Sequence, residues 1–270
     1  MISAYTTAFN FKNMKFSLEE ALSNWFVYFD EVVISTTSED LQEAKDCVKD
    51  FPLVDKIKIV SLEINTKDLH WDGKLKNNGL QNCSNDVVFQ IDLDERIGGS
   101  KTILTELADT ILRQESPCSI FIQNIDLFGD LNHYKSMGRK WYIHTRDGCC
   151  RGAINLAMVD GKIFDPEKSD TCELIDEDGD LIPCIGITPL TNPQGNLHID
   201  IPKIFHLGFL DLERRAHLNK TFWKDIWSER KSLSQQKEVE ATDVFIDAEE
   251  FNTIPKYKHN IPLPLWPTIQ

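Results

Sequence analysis

The chain lacks the features that would tie it to a membrane, a disulfide framework or a nucleic-acid backbone. Its opening, MISAYTTAF, has no basic segment followed by a long apolar run, and no window approaches about 18 consecutive apolar residues, so neither a signal peptide nor a membrane span is expected. Positive charge is scarce: 29 Lys and Arg against 43 Asp and Glu leave a formal charge of −14. Such a surface repels phosphate backbones and anionic membranes, which argues against nucleic acid as a partner, although a local basic pocket can still hold a phosphate. Seven cysteines, Cys47, Cys83, Cys118, Cys149, Cys150, Cys172 and Cys184, form no C-x-x-C pair. An odd, scattered set fits reduced thiols in a cytosol better than disulfides or structural zinc, and the expected location is cytoplasmic. No internal repeat is present.

What is there is an alternation of strand-like and helix-like segments. With 41% hydrophobic residues over 270 positions the chain can bury a sizeable core. MISAYTTAF reads as a first strand. Ser17 and Glu20 then make the S-x-x-E pattern of a capping box, ahead of Leu18, Ala21, Leu22, Trp25, Phe26 and Phe29 at helical spacing. EVVIST is a second strand, a helix starts near Ser38 and is closed by Pro52, and DKIKIVSL is a third strand. A helical stretch around GKLKNNGLQNCSND leads into the strand VVFQIDLDE, a helix follows from about Lys101 to Leu112, and CSIFIQNI is another strand. This order calls for an α/β fold with a mostly parallel central sheet flanked by helices. Past residue 130 the pattern is less regular: strands are expected at KWYIHTR, GAINLAMV and KIFHLGF, in a smaller, mixed and partly antiparallel region. A helix is expected from Asp211 to about Glu229, then a charged, Pro-punctuated tail that packs on the body or a partner.

The stretch VVFQIDLDE ends a strand built for burial with three acids, Asp92, Asp94 and Glu95. In open α/β sheets ligands gather beyond the carboxyl ends of the strands, so acids there are exposed by topology. Residues two apart on an extended chain share a face, so Asp92 and Asp94 can approach one hard divalent cation. D-x-D alone is also what an ordinary solvated turn looks like.

The residues in front of it sharpen the reading. KNNGLQNCSNDVVFQIDLD resembles the run R-N-x-G-x-x-x-A-x-G-(D/E), apolar strand, D-x-D of family 2 and related glycosyltransferases with the GT-A fold. Lys76 stands at the usual Arg, Asn77 at the Asn, Gly79 at the Gly, Cys83 at the small Ala, Asn85 at the second Gly and Asp86 at the acid. A second segment, KIFHLGFLDLERRAHLNKTFW, is similar to the late H-x-G stretch of many such enzymes, with His206 at the histidine. The resemblance implies a GT-A-like domain over 1–228, with a nucleotide-sugar-binding half at 1–115 and an acceptor-side half at 116–228, ahead of the tail at 229–270.

It also implies an activity: transfer of a sugar, by inversion, from a nucleoside-diphosphate donor to a glycan or other hydroxyl acceptor, with Mn²⁺ or Mg²⁺ as cofactor. By position in the family, Asp94 is the direct metal ligand, Asp92 serves the ribose and the metal shell, and His206 completes the metal site as a neutral imidazole. Ala4, Tyr5, Thr6 and Thr36 fall where the nucleoside binds, with Tyr5 placed to stack on or flank the base. Lys74, Lys76, Asn77, Arg214 and Arg215 fall where the phosphates and sugar lie. An inverting enzyme also needs a carboxylate to take the acceptor's proton. Glu173 is the first candidate, then Asp170, with Asp126 on the strand after the acids as a third; the neighbouring DEDGD reads as a solvated turn and does not fit a calcium loop. His133, His144, His198, His217 and His259 read as structural, and Trp141, Tyr142, Trp223, Trp227 and Trp266 as core or acceptor-stacking aromatics. Two other classes stay open. A nucleotidyltransferase is disfavoured because AYTTAFNFKN offers Lys12 but no glycine loop. A carbohydrate-binding protein on the same scaffold would keep donor binding and lose transfer.

Overall fold

The computed structural model describes residues 1–10, 17–65, 71–113, 118–131, 133–145, 174–175, 181–182, 185–187 and 202–211. Eleven strands and four α-helices run through them: β1 (Ile2–Ala8), α1 (Leu18–Trp25), β2 (Glu31–Thr37), α2 (Leu41–Val48), β3 (Ile57–Leu62), α3 (Trp71–Gln81), β4 (Val87–Gln90), β5 (Glu95–Gly98), α4 (Lys101–Leu112), β6 (Cys118–Phe128), β7 (Tyr134–Thr145), β8 (Leu174–Ile175), β9 (Leu181–Ile182), β10 (Ile185–Ile187) and β11 (Lys203–Phe209). The main sheet has the order β3-β2-β1-β4-β7-β6-β11-β5, with β10 beside β6 and a separate β8-β9 pair.

The α/β class expected from the sequence is the one observed. Strands β3, β2, β1 and β4 are parallel throughout, because in chain order a helix joins β1 to β2, β2 to β3 and β3 to β4 and carries the chain back across a face. Beyond β4 the sheet becomes mixed: β7 runs antiparallel to both β4 and β6, β11 is parallel to β6, and β5 is antiparallel to β11. Hence β1, β4, β6 and β11 all present their carboxyl ends at one edge.

Local sequence explains the helices. Ser17 Oγ accepts from Glu20 N–H at 3.2 Å and Ser100 Oγ from Ile103 N–H at 3.4 Å; each cap contributes about 1 kcal/mol. The first helix ends at Trp25, short of the expected Phe29, as Tyr28 N–H and Phe29 N–H both turn back to the Trp25 carbonyl. Phe26 and Phe29 are buried nonetheless, stacking toward Phe51 and Phe89 respectively. They join Leu22, Trp25, Val32, Ile34, Val87, Ile91, Leu104 and Ile111 in one core. A second cluster, Tyr5, Val33, Leu80, Cys83 and Val88, fills the space under α3. No helix among the described residues is long and apolar enough to cross a membrane. The expected strand GAINLAMV, the helix from Asp211 and the tail at 229–270 lie outside the described residues.

Candidate active site

The strand that opens the site stops earlier than its sequence suggests. β4 ends at Gln90, and Asp92 to Glu95 form a turn closed by Glu95 N–H to the Asp92 carbonyl at 2.9 Å. The Glu95 carboxylate is fully buried and accepts from Asp92 N–H at 2.9 Å, locking the same turn from the other side. Arg96, also buried, donates from Nη1 to the carbonyls of Leu93 and Glu95. Burial pushes its guanidinium pKa down, while Glu20 and Asp94 act to keep the charge. The turn is therefore rigid, and the alternation of an extended strand does not apply within it.

Within this turn the two acids have different partners. Asp92 faces the parallel half of the sheet: its Oδ1 accepts from Gln90 Nε2 at 2.7 Å and lies 3.6 Å from Lys76 Nζ on α3. Asp94 faces the mixed half: its Oδ2 lies 3.0 Å from His206 Nε2, 112 positions away in sequence. Among the described residues no group of three or more His, Cys, Asp or Glu side chains gathers as metal ligands.

Strand register builds that pair. On β11, His206 stands level with Asp126 of β6 on one side and Glu95 of β5 on the other. Leu207 N–H donates to the Asp94 carbonyl at 2.7 Å and fastens the acidic turn onto β11. His206 Nδ1 meets Asp126 Oδ1 at 2.9 Å, and the same oxygen accepts from Asn124 Nδ2 at 2.9 Å. Between His206 and Phe209 the register with β6 shifts, a bulge that re-aims the chain at the site.

Gly208 sits in this bulge, and its missing side chain matters. A Cβ there would lie 2.6 Å from His206 Nε2 and 2.9 Å from Asp94 Oδ2, closer than Cβ atoms come to neighbours. The glycine thus leaves open the space beside both donor atoms. Two ligands at right angles, each about 2.1 Å from one ion, stand about 3.0 Å apart. The Asp94 and His206 atoms have that spacing, and a carboxylate with an imidazole suits Mn²⁺ and, less well, Mg²⁺.

The other expected residues divide. Ala4, Tyr5, Thr6 and Thr36 are fully buried in the sheet. Tyr5 packs with Val33, Leu80, Cys83 and Val88, and Thr36 Oγ1 donates to the Ala8 carbonyl. Lys74 is exposed on α3, while Lys76 and Asn77 face inward. Glu173, Asp170, Arg214 and Arg215 lie outside the described residues. Gln90, fully buried and holding Asp92, escaped sequence reading; its signal was an amide inside an otherwise apolar strand. Asn124 escaped it too, since only the register brings it to His206.

No family model matches the chain, and no curated protein matches it. Among solved structures it is similar to S. aureus TarS 1-349, at 14% identity over 89% of this chain and 69% of that chain, with a TM-score of 0.42. The complex of the same protein with UDP aligns at 21% identity over 46% of this chain, which spans only 36% of TarS 1-349, with a TM-score of 0.32. The 4-diphosphocytidyl-2C-methyl-D-erythritol synthase of Anaerococcus prevotii aligns at 13% identity over 81% of this chain and 96% of that chain, with a TM-score of 0.41. What the site can do follows from its own side chains.

Proposed function

We propose that the chain is a metal-dependent, inverting glycosyltransferase that moves a sugar from a nucleoside-diphosphate donor to a glycan or other hydroxyl acceptor. The observation that carries this is the Asp94 Oδ2 and His206 Nε2 pair, 3.0 Å apart at the carboxyl edge of the sheet, with Gly208 leaving the space beside it open. Asp94 and His206 would hold Mn²⁺ or Mg²⁺, the remaining positions falling to water and donor phosphate oxygens, as is common for such ions. When bound, the cation supplies Lewis-acid stabilisation of the departing diphosphate.

The protein's own groups do the rest. Lys76, its side chain 13% exposed and its Nζ 3.6 Å from Asp92 Oδ1, would exchange that carboxylate for a phosphate in a charge-assisted contact. Asp92, held by Gln90, offers a fixed acceptor for ribose hydroxyls. The acids hold and orient; none of them attacks the sugar. The acceptor's proton goes to a carboxylate for which Glu173 and Asp170 stay the candidates, since Asp126 is engaged with His206. A cytoplasmic setting would keep the free Cys47 and Cys83 reduced. Isothermal titration with a panel of sugar nucleotides, with and without Mn²⁺, tests the reading. Mn²⁺-dependent binding of at least one donor, lost in Asp94→Ala, is expected; no binding of any donor, or binding indifferent to both Mn²⁺ and Asp94→Ala, overturns it.

A further inference from the structure

We propose that Asp126 is a positioning residue for His206: it accepts the Nδ1 proton and so turns Nε2 toward Asp94 and the open space beside Gly208, where a cation would take the place of the Nε2 proton. The inference rests on the proposed function for its consequence, though not for its geometry. Asp126 and His206 are direct partners across the parallel β6 and β11 pair, so their side chains leave the same face of the sheet side by side. Oδ1 of Asp126 receives two donors, His206 Nδ1 at 2.9 Å and Asn124 Nδ2 at 2.9 Å. Asn124 is itself buried and immobilises the carboxylate from behind. On its other side the ring points Nε2 at Asp94 Oδ2, 3.0 Å away. The ring is thus held at both nitrogens by carboxylates on different strands, and Phe209 meets its edge at right angles with centroids 5.6 Å apart.

The two carboxylates are not equivalent. Asp94 and Nε2 border the space that Gly208 leaves open, whereas Asp126 and Nδ1 are backed by Asn124. A carboxylate behind a metal-binding imidazole fixes the tautomer and raises the basicity of the ligating nitrogen, and its removal weakens metal binding about 10- to 100-fold.

Two readouts test it. In metal-free protein labelled with ¹⁵N-histidine, the His206 ring, assigned by its loss in His206→Gln, should carry a proton on Nδ1. Asp126→Ala should lose that Nδ1 proton, leaving the remaining one on Nε2 beside Asp94, while Asp126→Asn, whose amide oxygen can still accept, should keep it. Mn²⁺ affinity measured by electron paramagnetic resonance should fall about 10- to 100-fold in Asp126→Ala and less in Asp126→Asn. An unchanged ring in Asp126→Ala overturns the proposal. So does unchanged Mn²⁺ affinity with abolished transfer in Asp126→Asn, which would make Asp126 the base. Wild-type protein that binds no Mn²⁺ would overturn the proposed function, while the ring measurement would still decide the role of Asp126.

Discussion

Asp92 and Asp94 stand two residues apart on one turn, yet they answer to different halves of the molecule. Asp92 is held by Gln90 and Lys76, both within sixteen positions of it and both in the parallel half. Asp94 is held from β11, reached only after the chain has laid down β6 and β7, crossed the sheet and returned. The first side of the site is local chemistry, and a sequence motif carries it. The second exists only because a strand 112 positions on pairs in one register. A slip of one residue there would send His206 to the opposite face.

Two motif glycines give the strongest test of that contrast. Gly79 lies in α3, where a Cβ would meet Ser35 and Tyr5 at 3.4–3.5 Å, ordinary contact. Gly79→Ala should keep donor binding and stabilise the fold by up to about 1 kcal/mol, the usual gain for Gly to Ala inside a helix. Gly208→Ala should instead push its methyl against Nε2 and Oδ2, reduce Mn²⁺ affinity at least about tenfold and destabilise by about 1–3 kcal/mol, the range for overpacking. Metal titration and thermal melts of the two variants measure both effects. Equal behaviour would break the distinction between the halves.

The next largest effect concerns Lys76. A charge-assisted hydrogen bond contributes about 1.5–3 kcal/mol, so Lys76→Met should weaken donor binding about 10- to 100-fold and leave Mn²⁺ affinity in the absence of donor nearly unchanged. Asp94→Ala should do the reverse to Mn²⁺. If Lys76→Met also abolished Mn²⁺ binding, the two acids would be serving one site after all.

How much of this the sequence disclosed follows the same line. The capping Ser17, the run of apolar positions in α4 and the strand KIFHLGF are written locally, and the structure returns them with the same spans or nearly so. The acid turn was legible as chemistry but not as geometry. Glu95 closing back on Asp92 N–H ends the extended run, and nothing in D-x-D-E says whether it continues as strand or folds. The burial of Tyr5 was not legible, because a polar aromatic within a strand looks the same whether α3 covers it or not; the packing of Leu80 and Cys83 decides. His206 and Gly208 were singled out together by the H-x-G resemblance, whereas the placing of Asp126 beside the ring and of Asn124 behind it is a product of register, which no spacing along the chain encodes.

Gln90 offers a smaller and subtler probe of the local half. Its Nε2 holds Asp92 while its Oε1 is buried with no hydrogen-bond partner, a desolvation penalty of about 1–3 kcal/mol for an unpaired acceptor. Gln90→Met keeps the volume and removes the stranded oxygen. Thermal stability should hold or rise, while donor affinity should drop a few-fold as Asp92 loses its donor. A loss of stability with donor affinity intact would assign Gln90 to the core alone.

The smallest effect is expected at the opposite edge, where the strands begin, and it separates the fold from the site. Glu31 accepts from Ser3 Oγ, from Ser84 N–H at 2.8 Å and from Ser84 Oγ at 2.7 Å, tying β1, β2 and the entry to β4 together. Burial alone would raise its pKa, but these donors, with Lys58 nearby, bring it below the ordinary carboxylate value. A carboxylate depressed in the folded state contributes stability that is fully present above its unfolded pKa of about 4.3 and is lost as pH falls through the folded value. Glu31→Gln should therefore be less stable than wild type near neutrality, by a margin that shrinks as pH drops below about 4. Denaturant titrations across that range measure it. Because Glu31 lies at the amino ends of the strands, away from Lys76, Asp94 and His206, donor and Mn²⁺ affinities at neutral pH should not move. A change in either would mean that the two edges of the parallel sheet communicate, and that the local half of the site is less self-contained than its hydrogen bonds imply.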